Sequence, residues 1–486
     1  MKVKKNTFNK HFIVPVFYLL LGSTLTLAQP TDRVFFTTGF KIGEVTDSSA
    51  VIWTRLCASP RRVPVYHERT APPIPKPKKF YMNTPVAEMD GAVAGSFGEV
   101  KIEITSKNDT IEFDWGYVSA LHDYTYKQSV TGLKPNTAYS VRILGRQVIP
   151  TRPKDSKVDQ KPITSIAGSF MTSPASSQIA PITFTSSTCQ YFWSYDDSLR
   201  GFKIYDAMKK LNPRFHVQTG DYVYYDKAGP FVQTIDEARH KWHAMNSWPS
   251  LVDFYAEVPL YIEKDDHDLL RDDAYPGRAP LGALTYEDGL ELWYEQVPLE
   301  GKPYRTVRWG KDLQVWMVEV REYRSDNRDP DGKNKTIWGD EQMNWFKKTV
   351  ESSDATFKVL ISPTPIVGPD RPQGKNDNHS NKAFETEGAW LREYLAAQDV
   401  YVVNGDRHWQ YVSQDPINGL MEFSQGAASD QHAGGWEQDN VLPEHRFLRV
   451  KGGFLTVNVY RKRKEPIIEF VHHDVDGNVV HKEVFK

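Results

Sequence analysis

Residues 214–226 read RFHVQTGDYVYYD. The first part, RFHVQTGD, reads as a strand that stops at Gly220, leaving Asp221 and Tyr224 just past its carboxyl end. An amphipathic helix, LRGFKIYDAMKKL (199–211), precedes it and is ended by Asn212-Pro213. The arrangement recurs along the chain: ITFTSSTCQ (182–190), PLYIEKDD (259–266), LQVWMVEV (313–320), FKVLISPTP (357–365) and VYVVNGD (400–406) read as strands, with DEQMNWFKKTVES (340–352) and TEGAWLREYLAAQ (386–398) as helices among them. Strands alternating with helices imply βαβ crossovers and a largely parallel core. From Gly419 the pattern returns to strands and ends in a hairpin, HDVDGNVVHKEV (473–484), where Asp-Gly makes the turn.

Upstream the pattern is β. FKIGEVTDSSAVIWTRL (40–56) gives two alternating strands around a turn, and SVTGLKPNTAYSVRIL (129–144) places Tyr139 after a Leu-x-Pro-x-Thr run. That run resembles the tyrosine corner of immunoglobulin-like and fibronectin type III sandwiches, which implies a hydrogen bond from Tyr139 back to the preceding turn. Residues 60–100, rich in proline and lysine, read as a long irregular insertion. Residues 151–180, dominated by Pro, Ser, Thr and Lys, read as a linker. The expected organisation is therefore a signal peptide over 1–28, a β-sandwich over 29–150, a linker over 151–180 and a catalytic domain over 181–486.

With 486 residues the chain has room for two or three domains. Its 60 basic and 62 acidic residues leave a net charge of -2, so nothing in the balance suggests a nucleic-acid partner. The start, MKVKKNTFNKHFIVPVFYLLLGSTLTLA, combines leading lysines, a short apolar run and a Thr-Leu-Ala cleavage site. It predicts export to a periplasmic or extracellular compartment, and no later stretch approaches the roughly 20 apolar residues of a membrane anchor. There are only two cysteines, Cys57 and Cys189. Cys57 is followed by Ala-Ser-Pro-Arg, which is the wrong spacing for a sulfatase Cys-x-Pro-x-Arg. Cys189, at a strand end before a polar loop, is the candidate for chemistry.

Ligands of open α/β sheets bind outside the carboxyl ends of the strands. Here those ends carry Cys189, Asp221 with Tyr224, Asp265 to Asp268, and Asp406 with His408. One Gly-Asp after a strand is an ordinary turn. Four such ends of one polarity point instead to a shared ligand. Cys189, Tyr224 and His408 offer thiolate, phenolate and imidazole, which suit a transition metal, and the phenolate favours a trivalent ion such as iron. Asp266 and Asp406 offer oxygen alone, which suits calcium or magnesium. Asp221 is placed to bridge two metals.

SSTCQYFWS, TGDYVYYD, DDHDLLRDD, VEVREYRSDN, WGDEQMNWF and NGDRHW follow one another in an order that resembles the alkaline phosphatase D (PhoD-type) family of metallophosphoesterases. The resemblance implies an immunoglobulin-like β-sandwich followed by an αββα metallophosphoesterase sandwich, an α+β multidomain chain. It also implies Asp221 as the bridging ligand, Cys189, Tyr224 and His408 on Fe3+, Asp266 and Asp406 on the second metal, and His267 as the catalytic proton donor. Ser362 stands where the wider superfamily has a histidine, which favours Ca2+ for that second metal. A phosphate ester would be hydrolysed by a hydroxide that the metal pair activates, with Arg271, Arg321 and Arg324 as candidates for its oxygens. Asp265, Asp268, Asp272 and Asp273 read as supporting carboxylates, and Asp377 and His379 as residues of a loop that either reaches the site or lies on the surface. The rival functions are a phosphodiesterase of nucleotides, phospholipids or wall polymers, and a secreted binding protein whose metals are structural.

Overall fold

The computed structural model describes residues 33–65, 84–148, 162–371 and 377–486. The expected signal peptide lies outside them. Two large mixed sheets face one another. The first has nine strands, in the order Val479–Phe485, Glu465–His473, Phe454–Lys462, Ile182–Ser187, Phe215–Thr219, Leu260–Glu263, Phe40–Gly43, Ser49–Arg55 and Thr125–Thr131. The second has seven: Arg305–Trp309, Leu313–Met317, Phe357–Ser362, Val400–Asn404, Met421–Gln425, Gln410–Gln414 and His445–Arg449. At the centre of each sheet the strands run parallel.

Alternation along each strand builds both faces. In the second sheet Val315 and Met317 enter the core between the sheets, whereas Trp316 turns outward onto Phe346 and Val350 of the helix Gly339–Glu351. Phe423 and Phe470 stack across the inter-sheet core with ring centroids 3.9 Å apart. The helices Lys203–Lys210, Ile235–Asn246, Pro249–Tyr255 and Tyr286–Gln296 cover the outside of the first sheet, and Gly339–Glu351 with Glu385–Ala397 cover the second. The resulting layers are helix, sheet, sheet and helix. Sequence reading did not register Ile235–Asn246 or Tyr286–Gln296, yet both open on capping boxes, Thr234 with Glu237 and Thr285 with Asp288. Those residues were the available signal.

The N-terminal strands differ from the expected layout. A five-stranded sheet (Thr110–Glu112, Gly98–Thr105, Ala138–Arg146 and Thr164–Met171, with Gly116–Val118 paired to Gly98–Thr105) packs through Ile102, Val141 and Phe170 onto Ile42, Ile52 and Val130 of the large sheet. Half of this sandwich is thus an extension of the catalytic sheet, because Phe40–Gly43 pairs in parallel with Leu260–Glu263. Nor is 151–180 simply a linker. Thr164–Met171 pairs with Ala138–Arg146 along its length, and the sandwich closes past residue 150. It is an edge strand with one face largely exposed, so its serines, threonine and glycine cost little and the sequence there imitates a loop. The Lys134 amide donates to the Tyr139 hydroxyl at 2.9 Å, as a tyrosine corner requires.

Candidate metal centre

The parallel strands Ile182–Ser187, Phe215–Thr219 and Leu260–Glu263 of one sheet, and Val400–Asn404 of the other, deliver their following loops to one rim. Cys189, Asp221 and Asp406 all hold left-handed backbone angles, with φ of 52°, 56° and 61°. Such a conformation is uncommon outside glycine, and three cases on one rim mark loops forced to turn their side chains inward. Cys189, Asp221 and His408 bring ligand atoms within 4.8 Å of one another, as do Asp221, Asp266 and His267, and as do Asp221, Asp265 and Asp406. Asp221 belongs to every one of these groups. Tyr224 joins the first, since its hydroxyl lies 2.9 Å from Asp221 Oδ2, which is also 3.4 Å from Cys189 Sγ.

Asp406 is grouped with Asp265 rather than with Asp266, so the acidic run supplies two inward carboxylates. Asp268 holds that run in place: its carboxylate accepts the amides of Asp221 (2.8 Å), Val223 (2.9 Å) and Asp265 (3.0 Å), tying two strand-end loops together. Arg321, fully buried, pairs with Asp265 and lies 3.7 Å from Asp266. Arg407 pairs with Asp406 and, at 2.6 Å, with Asp370.

His267 Nδ1 is 2.6 Å from Asp226 Oδ1, and Asp226 also accepts the Asp272 amide. Burial lowers the His267 pKa, but Asp266, Asp226 and Asp221 outweigh it and hold the ring up at about 10. Beside it Lys227 Nζ lies 3.8 Å from the Tyr224 ring centroid and 3.3 Å from His432 Nε2, and the His432 ring is 4.2 Å from that of His408. A cavity of about 360 Å³ opens here, lined by Asp221, Asp226, Lys227, His267, Arg371 and His408 among others. A larger groove, about 740 Å³, runs between Tyr126, Arg239 and Tyr294 and holds none of the ligating side chains.

Some sequence candidates lie elsewhere. Arg271 donates to the carbonyls of Ala279 and Pro280, Arg321 is committed to Asp265, and Arg324 donates to the Asp377 carbonyl at 2.8 Å. None of the three lines the cavity. Asp377 stands behind the rim, 3.6 Å from Arg407, and His379 turns to Glu387 at 3.7 Å. Ser362 is buried and donates to the Thr364 carbonyl. Cys57 is a free thiol in the N-terminal sandwich, beside Arg55 and Thr38. Asp226, Lys227, Arg371 and His432 were missed. Asp226 and Lys227 directly follow the TGDYVYY run, and that adjacency was their only signal.

The donors fit multivalent cations. Asp221 Oδ1 and Asp265 Oδ2 are buried with no hydrogen-bond partner among the described residues. Burial, then Asp221 and Asp406, push the Cys189 thiol well up. Burial, then Asp221 and Cys189, do the same to the Tyr224 hydroxyl, and burial raises Asp221 itself. So many anionic donors packed together need positive charge at their centre to ionise, and a bound metal would supply it.

Two facing mixed sheets with this rim of ligands define a metallophosphoesterase-like fold. The family model described as PhoD-like phosphatase matches residues 184–444, and the chain belongs to that family. Alkaline phosphatase D of Bacillus subtilis (strain 168) is 24% identical over 268 residues, which cover 47% of this chain and 45% of that protein; the match spans under half the length of this curated relative. The solved structure of PhoD superposes with a TM-score of 0.69 at 16% identity, over 94% of this chain and 91% of that one. A purple acid phosphatase from yellow lupin (Lupinus luteus) seeds gives 0.59 at 12% identity, over 92% and 73%. At these identities the two structures speak to the fold.

Proposed function

We propose that the protein is a metal-dependent phosphatase hydrolysing phosphate esters. The observation that carries this reading is the convergence of three ligand groups on Asp221, whose Oδ1 has no hydrogen-bond partner among the described residues, beside an open cavity. Cys189, Asp221, Tyr224 and His408 would hold Fe3+. Asp221 with Asp265, Asp266 and Asp406 would hold Ca2+, the oxygen-only set suiting a hard cation. When bound, the metals supply Lewis acidity, offsetting charge at the phosphoryl oxygens and making water acidic enough to attack at neutral pH.

The chain's own residues do the remaining work. Asp226 fixes the His267 ring through Nδ1, which leaves Nε2 to hand a proton to the departing ester oxygen. Asp268 and the buried Arg321 and Arg407 hold the carboxylates in register, so that substrate meets a preformed site. We read the N-terminal sandwich as immunoglobulin-like, on the strength of the Tyr139 corner, and residues 1–28 as an export signal. Among the described residues no helix is long and apolar enough to cross a membrane. Elemental analysis of purified protein together with an aryl phosphate assay tests the reading: Asp221→Ala should lose both metals and turnover, and full activity in that variant would refute it.

A further inference from the structure

Lys227 and Arg371 reach the same cavity from loops of opposite sheets, Lys227 after the strand Phe215–Thr219 and Arg371 after Phe357–Ser362. Among the described residues Lys227 Nζ has no carboxylate within 4 Å, although it is largely buried; it rests on the Tyr224 ring and meets His432 Nε2. Asp221, Asp226 and Asp266 offset part of the cost of burying this ammonium, but none of them contacts it, so an oxyanion entering the cavity can still take its hydrogens. Arg371 is 30 % exposed and only loosely paired. Among the described residues its Nε has no hydrogen-bond partner, the carboxylate within reach is Asp370 at 3.8 Å, and its guanidinium lies 5.9 Å from the centroid of the Trp409 ring. Every other arginine considered for the site is spent on carboxylates or carbonyls.

We propose that Lys227 and Arg371 form a two-sided clamp for the non-bridging oxygens of the substrate's phosphoryl group, and retain inorganic phosphate in the same way after hydrolysis. This rests on the phosphatase reading for its substrate. Its chemistry is simpler: a tetrahedral oxyanion offers several acceptors, so a point-charge ammonium on one side and a forked guanidinium on the other can engage different oxygens. A lysine so placed also bears on discrimination, because an ester lacking a free oxygen on that side leaves the ammonium unpaired.

The test is calorimetric titration of metal-loaded, full-length protein with inorganic phosphate, for wild type, Lys227→Met and Arg371→Met, with Lys227→Arg and Arg371→Lys as charge-keeping controls. Each Met variant should bind phosphate about tenfold more weakly or worse, in line with loss of a charge-assisted hydrogen bond, with metal content unchanged. Arg371→Lys should recover part of the loss. Phosphate affinity within twofold of wild type in both Met variants, or no phosphate binding by wild type, overturns the clamp. If a Met variant fails to fold, the Gln variant at that position carries the comparison. An aryl phosphate assay on wild type separates the two claims: binding that depends on the clamp without turnover sinks the phosphatase reading alone, whereas turnover with unchanged affinities sinks the clamp alone.

Discussion

Asp226 Oδ1 and His267 Nδ1 are 2.6 Å apart, joining the loop after Phe215–Thr219 to the short helix Asp266–Leu269 that follows Leu260–Glu263. A carboxylate on Nδ1 fixes both the tautomer and the direction of the ring, so Asp226 acts through His267. Asp226→Asn should lower kcat about 10–100-fold with little change in KM, and Asp226→Glu should recover part of it. Steady-state kinetics on an aryl phosphate decide this. Equal effects of Asn and Glu on KM alone would assign Asp226 to substrate binding instead.

Cys189→Ser replaces the sulfur of the proposed iron site by a hard oxygen. Iron content after purification should fall by at least the roughly 10–100-fold that loss of an outer-shell partner costs. Calcium, which the proposed function assigns to the carboxylate set, should be affected less. Parallel elemental analysis of wild type and variant reads both metals, and unchanged iron would remove Cys189 from the ligand set.

Asp123 sets the acid stability of the junction between the N-terminal sandwich and the catalytic helices. Its carboxylate meets Arg55 at 3.1 Å, His243 at 2.5 Å and the Gln296 amide at 2.7 Å. Burial pushes this carboxyl up, but His243 and Arg55 outweigh burial and hold it well below the usual range. A lowered acid contributes stability above its unfolded value of about 3.9 and loses it as pH falls through the folded value. Burial, then Arg55, lower His243, so the unfolded chain takes up that proton first as pH falls below about 6.5. Both groups therefore make acid destabilising. Asp123→Asn should cost about 3–5 kcal/mol at pH 7 by leaving Arg55 unpaired, and should flatten the decline below pH 4. Urea midpoints from pH 3 to pH 8 measure both effects.

Phe470 is fully buried between the two large sheets and stacks on Phe423. Phe470→Ala should destabilise the fold by about 3–5 kcal/mol, through lost burial and the cavity left behind. The rim is built from other elements, so metal content per folded molecule should be unchanged. Denaturation curves and elemental analysis together check this.

Much of the catalytic half was legible because its signals are local. Continuous apolar strands such as FKVLIS, helices ended by polar residues, and ligand types placed at strand ends can each be read within one segment. Cys189, Asp221, Tyr224, Asp266, His267, Asp406 and His408 were named from that placement, and the fold brings their loops to one rim. What stayed hidden depends on distant partners. Thr164–Met171 looks like a linker until Ala138–Arg146 pairs with it. The three arginines read as phosphate ligands are instead held by Asp265 or by backbone carbonyls, while Lys227 and Arg371, with no comparable local signal, face the cavity. The sequence by itself determined which side chains end the strands, because β alternation and turn chemistry act over a few residues. Only the tertiary structure decided which charges neutralise one another and which remain for a ligand, because that depends on contacts between segments as far apart as Lys227 and Arg371.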